Sequence, residues 1–325
     1  NNLCEGDSTS FIGSSGLFTN NNNYIWSFGE NGQLVSSVLN LGNNLVSLIV
    51  ENLDNTCKDT SIQEIEILAA PIADFLVKES EKCFGEPFSF INNSSSNTNS
   101  FFYDFGDDIG ISTYENPSYN YLMPGLFQIT LHVTSDLGCK DSIIKSLVVH
   151  DIPAVEFLIK NNCEGEGNVF TDLSSVPNSN INLLEYNFPD GSISNDSIST
   201  HIFDGYGLFN VTLTATSNEG CKNSIIKTTE VFANPVVNFS SHQFCEKEPT
   251  VFSDSSFVPN SNMISYNWNF GSEAISNYKD PTYTFSSSGI FDVTLTVLSN
   301  KGCYGFLKKK IKIYKSPTAD FNVNS

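Results

Sequence analysis

Eight cysteines are the residues best equipped for chemistry in this chain of 325 residues. They fall in couples, Cys4 and Cys57, Cys83 and Cys139, Cys163 and Cys221, Cys245 and Cys303, with separations of 53, 56, 58 and 58 residues. None forms a Cys-x-x-Cys element, the spacing that zinc sites and dithiol redox motifs need. Cystine formation is the chemistry that remains, and one disulfide within each couple is the simplest pairing. Closing such a loop stabilises by roughly 4 kcal/mol in the chain-entropy model. Disulfides persist in oxidising compartments, so this usage predicts an exported, extracellular chain.

The other reactive side chains do not assemble into a site by spacing. His132, His150, His201 and His242 stand at scattered positions with no recurring Ser, Cys or Asp partner, and His132 falls on the outward phase of an alternating run. The adjacent carboxylates Asp107/Asp108 and Glu164/Glu166 lack the cleft across which a glycosidase must face its two acids. No catalytic, cofactor-binding or enzymatic role is therefore expected. The formal charge is −20, and all sixteen basic residues are lysine. Nucleic-acid binding, which draws on a basic face and arginine forks, is excluded. No apolar run reaches the 18 residues of a membrane helix, so no insertion is expected. The basic run Lys308-Lys309-Lys310, with Lys312 and Lys315 nearby, lies in an alternating stretch, where lysines on an edge strand resist edge-to-edge association.

The elements that position these residues repeat. Pro71, Pro153, Pro235 and Pro317 step by 82 residues, as do Phe75, Phe157, Phe239 and Phe321, and as do the second cysteines of the couples. A strict long period means tandem copies of one folding unit. The frame predicts modules at 1–70, 71–152, 153–234 and 235–316, with 317–325 as the first strand of another. The first module lacks the Pro-x-x-x-Phe segment ahead of Cys4, so the frame predicts that the protein continues in both directions.

In the second module, Pro71-Ile-Ala-Asp-Phe75 opens a first strand and Cys83 to Phe90 a second. Asn92 to Ser100 is polar and aperiodic, a loop. Phe101 to Phe105 reads as a strand ending in the turn Gly106-Asp107-Asp108. Phe127-Gln-Ile129-Thr-Leu131-His-Val133 alternates strictly, and Leu137-Gly138-Cys139 turns into a last strand over Ile143 to Val149. Phe209 to Leu213, Phe291 to Val297 and Val46 to Val50 repeat the alternation elsewhere, and no stretch has helical periodicity. Short alternating strands at this interval predict an all-β chain of four tandem immunoglobulin-like β-sandwiches in an extended array.

Four segments carry a resemblance: Trp26-Ser-Phe28-Gly29-Glu-Asn-Gly32, Tyr103-Asp-Phe105-Gly106-Asp107, Tyr186-Asn-Phe188-Pro189-Asp190-Gly191 and Trp268-Asn-Phe270-Gly271-Ser272. With Pro117-Ser-Tyr119, Pro281-Thr-Tyr283 and the Phe-x-Val-x-Leu strands they resemble the PKD domain, an immunoglobulin-like module whose hallmark is Trp-Asp-Phe-Gly-Asp-Gly. The aromatic and the Phe two residues on share one face of a strand, a spacing that buries both. The cysteine couple resembles the variety of long surface proteins in gliding bacteria of Bacteroidetes type. That resemblance implies a stalk in a cell-surface adhesin exported by type IX secretion, serving attachment or gliding motility. Its partners would be other modules of the same long chain. The alternatives are modules that bind a surface glycan or protein, with Phe101 or Phe257 as loop aromatics, and the spacer of a secreted hydrolase. The resemblance also raises calcium as a ligand, for which Asp104, Asp107 and Asp108 are the candidates.

Overall fold

The alternating runs fold as the long hairpin of a β-sandwich. The structure, a computed structural model, describes residues 3–16, 22–52, 57–271 and 274–321. Every element among the described residues is a strand, a bridge or a turn, and none is a helix. The chain divides into two compact units, Asn1–Asp151 and Ile152–Ser325, each holding two modules.

The second module shows the plan. One sheet runs in the order Ser118–Tyr119, Phe88–Asn92, Phe75–Val77; the other in the order Ile111–Ser112, Thr98–Asp104, Gly125–Ser135, Lys140–His150, Glu81–Cys83. Glu81–Cys83 pairs parallel with Lys140–His150, placing Cys83 opposite His150. Along Gly125–Ser135 the inward residues Phe127, Ile129, Leu131, Val133 and Ser135 are buried, while Leu126, Gln128 and His132 face solvent. They pack with Phe75, Phe90, Tyr103, Phe105 and Tyr121 between the sheets. Burying such aromatics contributes about 2–3 kcal/mol each from area alone. The polar run expected as loop from 92 to 100 is shorter: the strand begins at Thr98, where pairing with Gly125–Ser135 is resumed across a register shift.

Modules three and four keep this plan with sheets of three and four strands, and the long hairpins hold one register: Gly125 opposes Val149, Gly207 opposes Val231, Gly289 opposes Ile313. Gly42 opposes Ile67 in the first module, whose core is smaller, built on Phe11, Trp26, Val35 and Val46. The basic run lies in the edge strand Tyr304–Ile313, but only part of it is an edge device. Lys309 reaches inward: its Nζ donates to Asn238 and to the Phe239 carbonyl, and stands 4.7 Å over the Phe239 ring. Lys145 and Lys227 make the same clamp on Phe75 and Phe157. Lys308 and Lys310 flank Asp292 at 2.8 and 3.2 Å. Of the stretch expected as a further strand, 317–321 is unpaired and 322–325 lies outside the described residues, as does Ser272 of the fourth hallmark segment.

Candidate functional site

The cysteines mark the two poles of each module. The first of each couple is tied to the end of the last strand: Cys4 bridges Leu68, Cys163 bridges Phe232 and Cys245 bridges Tyr314, all parallel, as Cys83 pairs with His150. The following amide donates to the same carbonyl in all four modules, Glu5 to Leu68, Phe84 to His150, Glu164 to Phe232 and Glu246 to Tyr314, at 2.8–2.9 Å. The second cysteine sits at the other end of that last strand, in the second, third and fourth modules just after a tight turn. In the second module the strand between them, Lys140–His150, has 11 residues. At about 3.3 Å per residue the poles lie roughly 35 Å apart. A disulfide needs Cα atoms within about 7 Å.

Pairing within couples is therefore ruled out, and the expectation of Cys4–Cys57, Cys83–Cys139, Cys163–Cys221 and Cys245–Cys303 bonds is corrected. Cys4 is bonded to Cys139 and Cys163 to Cys303, each with Cα atoms 5.6 Å apart. Each bond joins the C-terminal pole of one module to the N-terminal pole of the next. Cys83 and Cys221 are not free thiols either, whereas Cys57 and Cys245 are free and exposed. The period of the cysteines was legible; the direction of their pairing depended on a parallel bridge that no local pattern announces.

The turn at Leu137-Gly138-Cys139 was legible in the sequence; the serine that anchors the second cysteine there was missed. The cysteine amide donates to a buried serine hydroxyl four residues back, Cys139 to Ser135 at 3.1 Å, Cys221 to Ser217 at 3.3 Å and Cys303 to Ser299 at 3.1 Å. Ser135, Ser217 and Ser299 share the period of 82, which was the available signal. Gly138, Gly220 and Gly302 hold positive φ in the turn, a conformation that glycine adopts without strain. In the first module Asn52 replaces the serine, its Oδ1 accepting from the Cys57 amide. At the joint of modules three and four, Lys301 adds to the disulfide. Its Nζ lies 3.7 Å from Glu230 and 4.7 Å over the Phe232 ring. Both ion-pair partners are partly exposed, so the pair contributes less than about 1 kcal/mol.

The calcium candidates are turn-formers. Asp104 accepts from the Gly106 amide at 2.9 Å. Asp107 accepts from the Ile109 and Gly110 amides and, at 2.6 Å, from the Tyr119 hydroxyl. Asp108 takes φ of 67° at the corner. Among the described residues no three His, Cys, Asp or Glu side chains group as metal ligands, so the candidate set Asp104, Asp107 and Asp108 is not assembled. Partial burial would raise the Asp107 carboxyl, but hydrogen bonds from Tyr119, Gly110 and Ile109 outweigh it and hold it below the usual carboxylate range. The turn also needs Gly106: a Cβ there would stand 2.2 Å from the Gln128 carbonyl oxygen.

His201 is not scattered, as the sequence reading had it. It occupies the place of Tyr119 and Tyr283, stacking on Phe188 at 4.0 Å as they stack on Phe105 and Phe270 at 4.1 and 4.5 Å. Asp190 lies 3.5 Å from its Nε2 and Ser192 Oγ lies 3.4 Å from its Nδ1. This trio resembles a hydrolytic triad by composition only. In a triad the hydroxyl hydrogen-bonds to the imidazole and not to the carboxylate; here the ring lies beside both groups and the Ser192 hydroxyl donates directly to Asp190 at 2.7 Å. His201→Tyr is expected to restore the tyrosine–aspartate brace of the second module and stabilise the third by about 0.5–1 kcal/mol, read as a rise in Tm.

The phenols give the second module an alkaline limit. Burial first, and then the Glu115 charge, pushes Tyr103 up to about 12, and burial with the Asp107 hydrogen bond pushes Tyr119 to about 12. A raised phenol favours the neutral form in the fold. The stability it contributes is complete below the unfolded value near 10 and is lost as pH rises towards 12. Fully buried Tyr103 is expected to lose on the order of 3 kcal/mol over that window. Phenolate absorbance that rises together with loss of the native signal checks this; titration of Tyr103 near pH 10 in the folded state contradicts it.

Of the two aromatics expected in loops, Phe101 instead lies in the strand Thr98–Asp104 and packs against the core, while Phe257 is 58% exposed. His132 faces solvent beside Phe102, and His150 Nε2 lies 3.1 Å from Glu81.

Comparison with known proteins matches the PKD domain model to residues 68–149, 150–233 and 232–312. The PKD1 domain of a Vibrio cholerae metalloprotease, PrtV, is 30% identical over 25% of this chain and 96% of that domain, with a TM-score of 0.23. The PKD1 domain of Vibrio anguillarum Epp is 22% identical over 26% of this chain and 99% of that domain, with a TM-score of 0.25. Three titin domains, I67–I69, cover 76% of this chain and 99% of their own at 12% identity and a TM-score of 0.37.

Proposed function

This chain belongs to the PKD domain family, and from that premise we propose that it is a non-catalytic stalk segment of a long cell-surface adhesin, of the kind exported by type IX secretion for attachment or gliding motility. Tandem PKD domains joined by disulfides are consistent with an extracellular repeat, since such bonds persist in oxidising compartments. One observation carries the reading: the disulfides link one module to the next. Such bonds add no catalytic or binding group; what they supply is covalent continuity along an array. Within each unit the linker is a few residues, at Pro71 and at Pro235, too short for free tumbling. The partners of a module are then its neighbours, and recognition of a substratum lies in other parts of the protein.

The test is the size and location of the native polypeptide, by mass spectrometry of washed cells and of medium. A cell-associated chain of many modules is expected. A short secreted chain with a compact catalytic domain would replace the stalk by a hydrolase spacer. Binding of this segment itself to a glycan array would instead assign recognition to the modules.

A further inference from the structure

Cys57 and Cys245 stand at the two kinds of position that the bonded cysteines occupy. Cys245 is placed as Cys4 and Cys163 are, bridged in parallel to the end of its module's last strand. Cys57 is placed as Cys139 and Cys303 are, just ahead of the last strand, with its carbonyl accepting from the residue that ends the preceding one. The bonded members are less open: Cys139 and Cys303 are 1% and 0% exposed, Cys163 is also buried and Cys4 is half-buried. Cys57 and Cys245 are exposed. The residue beneath the C-terminal pole follows the same division. Leu68 and Phe232, next to bonded cysteines, are half-buried, while Tyr314, next to Cys245, is 54% exposed.

We propose that Cys57 and Cys245 are complementary covalent docking sites, Cys245 for the N-terminal pole of a further PKD module carrying a turn cysteine, and Cys57 for the C-terminal pole of one carrying a bridge cysteine. The two internal bonds supply the independent observation, because both join a bridge cysteine to a turn cysteine and neither joins like to like. The chain carries one free cysteine of each kind, so a second copy presents the correct partner for both. In the linking step one Cys245 Sγ and one Cys57 Sγ form an S–S bond. Each thiol loses a proton and an electron; glutathione disulfide is the oxidant and leaves as two glutathione thiols. The proposal rests on bond geometry and stands whether or not the segment is a stalk.

The experiment uses the whole chain, purified with its internal disulfides formed and incubated in a glutathione redox buffer. Products are sized without reductant and their disulfide peptides are mapped. A ladder of oligomers is expected in which Cys245–Cys57 peptides outnumber Cys57–Cys57 and Cys245–Cys245 peptides by about tenfold, since cystine geometry selects poles that can meet. Cys57→Ser and Cys245→Ser should each abolish the ladder, and an equal mixture of the two variants should give a dimer and nothing longer. Like-to-like peptides as abundant as the mixed one would overturn the proposal. So would a mixed peptide confined to monomer, or monomer alone while Cys4–Cys139 and Cys163–Cys303 are fully formed.

Discussion

Pulling the oxidised chain by its ends is expected to release almost none of the length stored in its bridged modules. Force entering at Cys4 crosses to Cys139, follows the chain to Cys163 and crosses to Cys303. The bonds bypass sequence separations of 135 and 140 residues. At about 3.5 Å per residue each hides roughly 500 Å of contour. The bypassed residues include most of the core of each module, so their unfolding would not lengthen the chain. After reduction each module of about 80 residues should unfold in a step of roughly 280 Å. Single-molecule force spectroscopy before and after reduction checks this. Bonds within couples would predict a different record, oxidised steps of roughly 90 Å per module from the residues outside each loop. Such steps would contradict the pairing described above. The same bonds also restrict the unfolded chain, worth up to about 5 kcal/mol each in the chain-entropy model.

Trp268→Ala is expected to unfold the fourth module at moderate temperature. The indole is fully buried, with Phe239, Phe252 and Phe270 rings at 4.9, 5.5 and 6.2 Å. Its Nε1 donates to the Tyr278 carbonyl at 3.0 Å, an acceptor that alanine would leave without this donor. Truncating a buried aromatic costs about 3–5 kcal/mol, comparable to much of a small domain's stability. Trp268→Phe should cost clearly less, because ring contacts survive and only the hydrogen bond and part of the volume are lost. Tm of the fourth module, followed by tryptophan-independent circular dichroism, distinguishes the two. Equal Tm values for Trp268→Ala and the parent would remove the indole from the core. The equivalent Trp26 donates to Gly32 at 3.0 Å, and Tyr103 to Glu115 at 3.2 Å, whereas the buried Tyr186 hydroxyl has no partner among the described residues.

Much of this arrangement was legible before any coordinates. The alternation in Phe127 to Val133 became the buried face of Gly125–Ser135, and Tyr103 and Phe105 entered the core on one strand face. Periodicity two is a property of the strand itself, so it survives into the fold unchanged. The roles of His201 and Lys309 were not legible. One substitutes for a tyrosine in a stack across strands, and the other clamps a phenylalanine some seventy residues earlier, contacts that neighbouring sequence does not encode.

The sequence by itself determined that this is a tandem all-β chain with two cysteines in each module, because repetition and alternation are written residue by residue. Only the tertiary structure decided which cysteine meets which. A parallel bridge carries the first of each couple to one pole, while the intervening strand of 10 or 11 residues holds the second at the other. A bond that reaches no farther than about 7 Å between Cα atoms then joins the residues that the fold brings together, and sequence separation has no vote.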